Sequence, residues 1–177
     1  SLLRHLIRSL EQPGPQSYSI DLMLAGVAKE VSPVSSYAWS RGHGPSRLVS
    51  KALCALEDWA HGVLDNSGNL TELIEKIADD RPLSGALLLT IVDLVLCHAK
   101  LDSPLLHDLL ASPELLALDG QRLQHDQLDH LQGGGNFRWD RGPATDRLVT
   151  EALACKASRS ISLHNVIPQI VFRQPEF

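Results

Sequence analysis

The sequence predicts an all-α fold, an irregular α-solenoid or helical-repeat array of about eight helices. Three observations carry this. First, the 177 residues are 44% hydrophobic but only 5% aromatic, a leucine-rich balance that suits helices packed on helices and is long enough for one domain with a core. Second, apolar residues recur at helical spacing in stretches closed by caps or prolines, while strand-like alternation is nearly absent. Third, a segment repeats at an offset of 100 residues, with residues 37–53 aligning on residues 137–153 without a gap. Tyr37-Ala-Trp39-Ser-Arg41-Gly42 matches Phe137-Arg-Trp139-Asp-Arg141-Gly142, and the following Arg-Leu-Val helices match as well. Eight of the 17 aligned positions are identical.

The elements follow in order. Leu2, Leu3, Leu6, Ile7 and Leu10 keep a helical stripe that Pro13-Gly14-Pro15 stops. Residues 20–31 are expected to form a second short helix, closed by Ser32-Pro33. Residues 32–45, rich in Ser, Gly and Pro, make a loop that holds Tyr37, Trp39, Arg41 and His43. From Ser46 a long helix places Val49, Leu53, Leu56, Trp59, Ala60 and Val63 on one face, with Lys51, Glu57, Asp58 and His61 largely on the other. Asn69-Leu70-Thr71-Glu72 reads as a capping box that opens the next helix.

Residues 83–100 form a central buried helix, too short for a bilayer and broken by Asp93 and His98. Ser103-Pro104 and Ser112-Pro113 each place a hydroxyl before a proline at the first helical position, opening helices of roughly 8 and 15 residues. Gly133-Gly134-Gly135 starts the second loop, a helix covers 144–157, and an apolar segment at 166–172 is interrupted by Pro168. The chain opens on Ser-Leu-Leu without an initiator Met and stops after Arg173-Gln-Pro-Glu-Phe. The expectation is a single helical domain over 1–177, excised from a larger protein.

Charge narrows the partners. The net charge is −5, but residues 51–130 carry 5 basic against 14 acidic side chains, while 1–50 carry 5 against 3 and 131–177 carry 6 against 4. An acidic middle argues against nucleic acid, which calls for a basic stripe, and no segment suits a membrane. Cys54, Cys97 and Cys155 lie far apart in apolar helical stretches, so each reads as a small buried hydrophobe in a reducing cytoplasm.

The repeated loops have a physical account. Each Trp can seal the gap where a loop returns over the following helix, and Gly42 and Gly142 permit a positive φ for the turn. Arg41 and Arg141 can donate to loop carbonyls or stack on the neighbouring ring. The loops are then structural corners or, because Trp, Tyr and Arg are common interface anchors, a contact surface. On that second reading Tyr37, Trp39, Arg41, His43, Phe137, Trp139 and Arg141 are the partner-binding candidates.

The stretch from Trp39 through Leu118 also resembles a known type. Ala52-Leu-Cys-Ala-Leu-Glu57-Asp-Trp59, Leu-Ile-Glu-Lys-Ile at 73–77 and Leu-Leu-Ala-Ser-Pro-Glu-Leu at 109–115 carry the likeness. They resemble the helical (HEAT/armadillo-like) region of very large bacterial NACHT/STAND-type ATP-binding proteins. The resemblance implies a helical array that senses a partner or relays its binding, with the ATPase machinery elsewhere in the parent protein. No Gly-x-x-x-x-Gly-Lys-Ser/Thr loop occurs in this chain.

Candidate chemistry is sparse. His125, Asp126, Asp129 and His130 give two i, i+4 pairs of metal-ligating types, although residues 121–132 are polar all round, as at a solvated helix end. Asp93 with Cys97 or His98 is a second candidate, since buried carboxylates can mark sites. No nucleophile elbow, zinc-protease motif or Cys–His arrangement is present. The sequence therefore points to a non-catalytic helical interaction or signal-relay module of a larger cytoplasmic bacterial protein. It would need no cofactor, and its partner would be a protein or other domains of the same polypeptide. The alternative is a small metal-binding or metal-dependent hydrolytic domain using His125, Asp129 and Asp93.

Overall fold

In the computed structural model, residues 2–11, 18–41, 46–79, 81–131 and 144–173 are described, and they are mostly helical. The helices are α1 (Leu2–Leu10), α2 (Arg47–Asp65), α3 (Leu70–Ile77), α4 (Gly85–His98), α5 (Pro104–Leu110), α6 (Pro113–Leu131), α7 (Ala144–Ala154) and α8 (Leu163–Arg173). Short 3₁₀ turns lie at Val34–Ser36, Trp39–Arg41 and Ala157–Arg159. No helix among the described residues is long and apolar enough to cross a membrane.

One segment departs from the helical expectation. Residues 20–31 form an antiparallel hairpin of β1 (Ile20–Leu24) and β2 (Val27–Val31), with Ile20 facing Val31 and Leu24 facing Val27. Burial alternates along β1, with Ile20, Leu22 and Leu24 inside and Asp21 and Met23 outside. Met23 on the outer face hides that alternation from a hydrophobicity count. The turn Ala25-Gly26 has both φ angles positive (54° and 73°), the geometry of a two-residue hairpin that matches strand twist. The backbone N–H of Gly26 donates to Asp108 on α5 (3.1 Å), which ties the hairpin tip to the helices. At its other end Val31 bridges Leu83, and Ser32 donates to the Leu83 carbonyl (2.9 Å).

Local signals for helix ends hold up well. Asn69 accepts from the N–H groups of Thr71 and Glu72, and its side-chain amide donates to the Glu72 carboxylate, a variant of the capping box in which the side chain takes the place of the backbone N–H. Ser46 and Ser84 cap α2 and α4, and Ser112 accepts from Leu115 at the start of α6. Ser103 makes no such bond, and Pro104 alone sets the start of α5. Helix α8 continues through Pro168.

Helix α4 occupies the centre. Every residue from 85 to 95 is buried, and α2, α3, α5 and the turns at Val34–Ser36, Trp39–Arg41 and Ala157–Arg159 pack around it. A methyl group on Gly85 would come within 2.8 Å of the Pro33 carbonyl. The loop 32–41 therefore lies directly against the start of α4 because no side chain separates them. Helices α2 and α7 pack on each other. Leu53 and Leu153 are buried and Leu48 and Leu148 exposed, whereas Val49 is buried and Val149 only intermediate.

The inward face of α2 differs from the one its apolar stripe suggests. Val49, Ser50, Leu53, Cys54, Glu57, Ala60 and His61 are buried, whereas Trp59 is 55% exposed. The helix is thus turned so that a carboxylate and an imidazole face the core. The cysteines also divide: Cys54 is buried, Cys97 intermediate and Cys155 exposed, all as free thiols.

Candidate functional site

The interior charge on α2 has partners. Arg41, at the end of its 3₁₀ turn, is 1% exposed, and its guanidinium reaches three helices. Its Nη2 donates to both carboxylate oxygens of Asp93 on α4 (2.7 and 2.9 Å). Its Nε donates to Asp126 on α6 (3.3 Å), and its Nη1 stands 3.6 Å from Glu57 on α2. A planar guanidinium with five N–H groups fits carboxylates in this way, where a lysine would act as a point charge.

A second arginine extends the network. Arg122 Nε and Nη2 both donate to Asp119 (3.1 and 2.9 Å), one turn earlier on α6, and Nη1 donates to Asp126 (3.1 Å). The same guanidinium donates to the carbonyls of Ser158 and Ile161. Asp119 is itself saturated, since Oδ1 also accepts the Tyr37 hydroxyl (3.0 Å) and Oδ2 the backbone N–H of Leu163 at the start of α8 (2.8 Å). From the 3₁₀ turn after α7, Arg159 Nη2 donates to both oxygens of Glu57 (2.7 Å each).

Together these residues join the loop before α2 to α2, α4, α6, the turn Ala157–Arg159 and α8. The geometry is built locally. Tyr37 and Trp39 are buried beside Arg41, and the Trp39 carbonyl accepts from Ser50 on α2 (2.7 Å). Cys54 Sγ reaches the Ser40 carbonyl (3.4 Å). These two contacts fix the 3₁₀ turn on α2 and aim the guanidinium inward. On α6 the buried residues Leu115, Asp119 and Arg122 recur every three or four positions, so one helical face carries first leucine and then charge.

Electrostatics follow from the count. Four carboxylates (Glu57, Asp93, Asp119, Asp126) face three guanidiniums (Arg41, Arg122, Arg159), so one negative charge is in excess among these described groups. Burial pushes Glu57 up to about 7 and Asp93 up to about 7, against the pull of Arg41. Arg41 is raised: the burial that lowers it is outweighed by Asp93, Glu57 and Asp126. Burial, then the Asp119 charge, raises the Tyr37 hydroxyl. Burial favours one proton among these carboxyls, because taking two would leave three guanidiniums facing two carboxylates.

The expected pH dependence has a definite sign. A carboxyl whose folded value is raised holds a proton that the unfolded chain gives up. Its contribution is complete below the ordinary carboxylate range and is lost as pH rises towards about 7. His61 is lowered by burial, and then by Lys156, so its contribution is present above about 6.5 and is lost on acidification. Stability is therefore expected to rise, by at most about 1.4 kcal/mol per pH unit, between pH 7.5 and 6.5 and to level off or fall below that. Urea midpoints at pH 8, 6.5 and 5 check this, and a monotonic rise with pH would refute it.

The residues singled out by sequence sort as follows. Tyr37, Trp39 and Arg41 converge, but in the interior, where Trp39 is 8% exposed. Arg41 binds carboxylates rather than loop carbonyls or the Trp39 ring, because a buried cation needs counter-charge more than it needs a dipole. His43, Phe137, Trp139 and Arg141 lie outside the described residues. His125 is exposed on α6, whereas Arg122 in the same polar stretch is buried, which corrects the reading of a wholly solvated helix end. The side chains of Asp129 and His130 lie outside the described residues. Asp93 lies at 0% exposure against Arg41. Among the described residues no group of three or more His, Cys, Asp or Glu side chains could hold a metal ion.

Sequence reasoning missed Glu57, Asp119, Arg122 and Arg159 as site residues. Asp119, Arg122 and Asp126 stand three, four and seven apart, and that spacing was the available signal. Arg159 has no local signal at all. No family model, curated protein or solved structure matches the chain.

Proposed function

We propose that this chain is a non-catalytic interaction or signal-relay module, an irregular helical array within a larger cytoplasmic bacterial protein. The observation that carries the reading is the burial of the ionic network. Its carboxylates are engaged by arginines, only Arg41 Nη1 and Arg159 Nε among its buried guanidinium nitrogens make no hydrogen bond, and Arg41, Glu57, Asp93 and Asp119 are each at most 1% exposed. Such a network fixes one arrangement of its helices, a firm body on which a contact surface can be held. The proposal takes the role that the resemblance of residues 39–118 to the helical region of NACHT/STAND-type proteins implies.

The outer surface offers contacts of the kind partners use. Leu48 (62%), Trp59 (55%), Leu148 (62%) and Phe172 (84%) are exposed, and large apolar side chains, tryptophan above all, anchor interfaces. The metal-dependent hydrolase built on His125, Asp129 and Asp93 has less support, because Asp93 already gives both oxygens to Arg41.

The test is affinity capture with the wild-type chain beside a Leu48→Ser/Trp59→Ser variant of matched melting temperature. The expected result is a partner held by the wild type and lost from the variant. Turnover of ester or phosphoester substrates that disappears in Asp93→Asn would overturn the reading.

A further inference from the structure

Outside the Arg41 cluster, two histidines meet ring to ring between α2 and α4. His61 Nδ1 lies 2.8 Å from Nε2 of His98, the last residue of α4, with ring centroids 5.0 Å apart. The outer nitrogens both face carboxylates. His61 Nε2 stands 3.9 Å from Glu57 Oε1, and His98 Nδ1 stands 4.0 Å from Asp65 Oδ1. His61 is buried, while His98 is 18% exposed at its side chain and opens the pair to solvent.

The same two carboxylates hold the chain beyond α7. Arg159 donates to both oxygens of Glu57, and Lys156 donates to Asp65 (3.3 Å). The imidazole pair thus sits in the seam between α2 and the segment that runs from α7 through the turn Ala157–Arg159. The charged groups facing it are Glu57, Asp58 and Asp65 from α2, Asp93 from α4, and Lys156 and Arg159 from that segment.

Proton counting gives the pair three states. With two protons it is neutral, and in either tautomer pair that puts one hydrogen in the contact, one outer nitrogen presents a lone pair to a carboxylate. With three, the inner proton is shared across the 2.8 Å contact and both outer N–H groups point at Glu57 and Asp65. With four, two N–H groups meet head-on at a distance that admits one hydrogen. Two imidazolium cations would then also stand beside Lys156 and Arg159.

We infer that His61 and His98 form an acid-sensitive latch, and that full protonation of the pair parts the rings and releases the segment 144–161 from α2 and α4. The latch depends on this contact and on no particular partner. Burial holds His61 below its ordinary value, and burial together with its neighbour does the same for His98, so full protonation of the pair takes place below the ordinary histidine range. Two ion pairs, Lys156–Asp65 and Arg159–Glu57, hold the end of this segment against α2, the kind of contact that order–disorder switches make and release.

Amide hydrogen exchange on the intact chain at pH 7.5 and 5, corrected for intrinsic rates, tests the latch. Protection across 144–161 is expected to fall by about tenfold or more at pH 5, while the buried middle of α4 keeps its protection. His61→Asn and His98→Gln each place a neutral amide where the contacting ring nitrogen stands, and both variants should lose the pH response. Three results would overturn the inference: an unchanged wild type, a uniform loosening of the whole chain, or variants that respond as the wild type does. The last would assign the response to protonation of Glu57 instead.

Discussion

Replacing Arg41 with methionine is expected to destabilise the fold by about 3–5 kcal/mol, the range for removing one partner of a buried ion pair. The loss should concentrate on Asp93. Glu57 would keep Arg159 and Asp126 would keep Arg122, but Asp93, at 0% exposure, would face the core without its guanidinium. The double variant Arg41→Met/Asp93→Leu should recover more than half of the loss, since a well-packed apolar pair can match a buried ionic one. Arg41→Lys should fall between the wild type and Arg41→Met, because an ammonium cannot fork across both Asp93 oxygens while reaching Asp126. Urea unfolding followed by circular dichroism measures all three. A single-variant loss under about 1 kcal/mol would show that the cluster contributes little net stability.

Replacing Asp119 with alanine should be comparably severe, about 3–5 kcal/mol, by a different route. Asp119 accepts from the Tyr37 hydroxyl, from two nitrogens of Arg122 and from the backbone of Leu163. Each hydrogen bond to a charged group contributes about 1.5–3 kcal/mol, partly offset by water in the unfolded chain. The carboxylate also sits at the N-terminal end of α8, where unbonded N–H groups favour an anion. Asp119→Ala should therefore loosen α8 selectively, so protection of the amides near Leu163 should drop before that of α4. Asp119→Asn keeps one acceptor and should lose roughly half as much. If α8 and α4 lose protection together, Asp119 acts on the whole fold and not on α8 in particular.

What the sequence displayed and what it hid divide along a physical line. Features set by near neighbours are legible: the Asn69 cap, the largely apolar α4 and the unusual Tyr37-Trp39-Arg41 turn. Features set by distant partners are not. Glu57 belongs on a polar face by composition, yet it turns inward because Arg41 and Arg159 await it there. Trp59 is displaced to the surface by the same rotation of α2. The β1–β2 hairpin escapes the periodicity because, in five residues, the outward Met23 makes either period plausible. The repeated Arg41 position was recognised as important, but its carboxylate partners lie on α2, α4 and α6 and share no motif with it.

The separation of those partners along the chain bears on how the molecule is made. Arg41 meets Asp93 across 52 residues and Asp126 across 85, and Glu57 meets Arg159 across 102. A ribosome delivers the cation first, its principal counter-ion later, and the closing arginine near the end. Until then Glu57 and Asp93 have a single guanidinium between them, that of Arg41, so the interior is completed only with α6 and the turn after α7. The long-range pairing that gives the finished interior its single arrangement also makes the emerging polypeptide dependent on its last third.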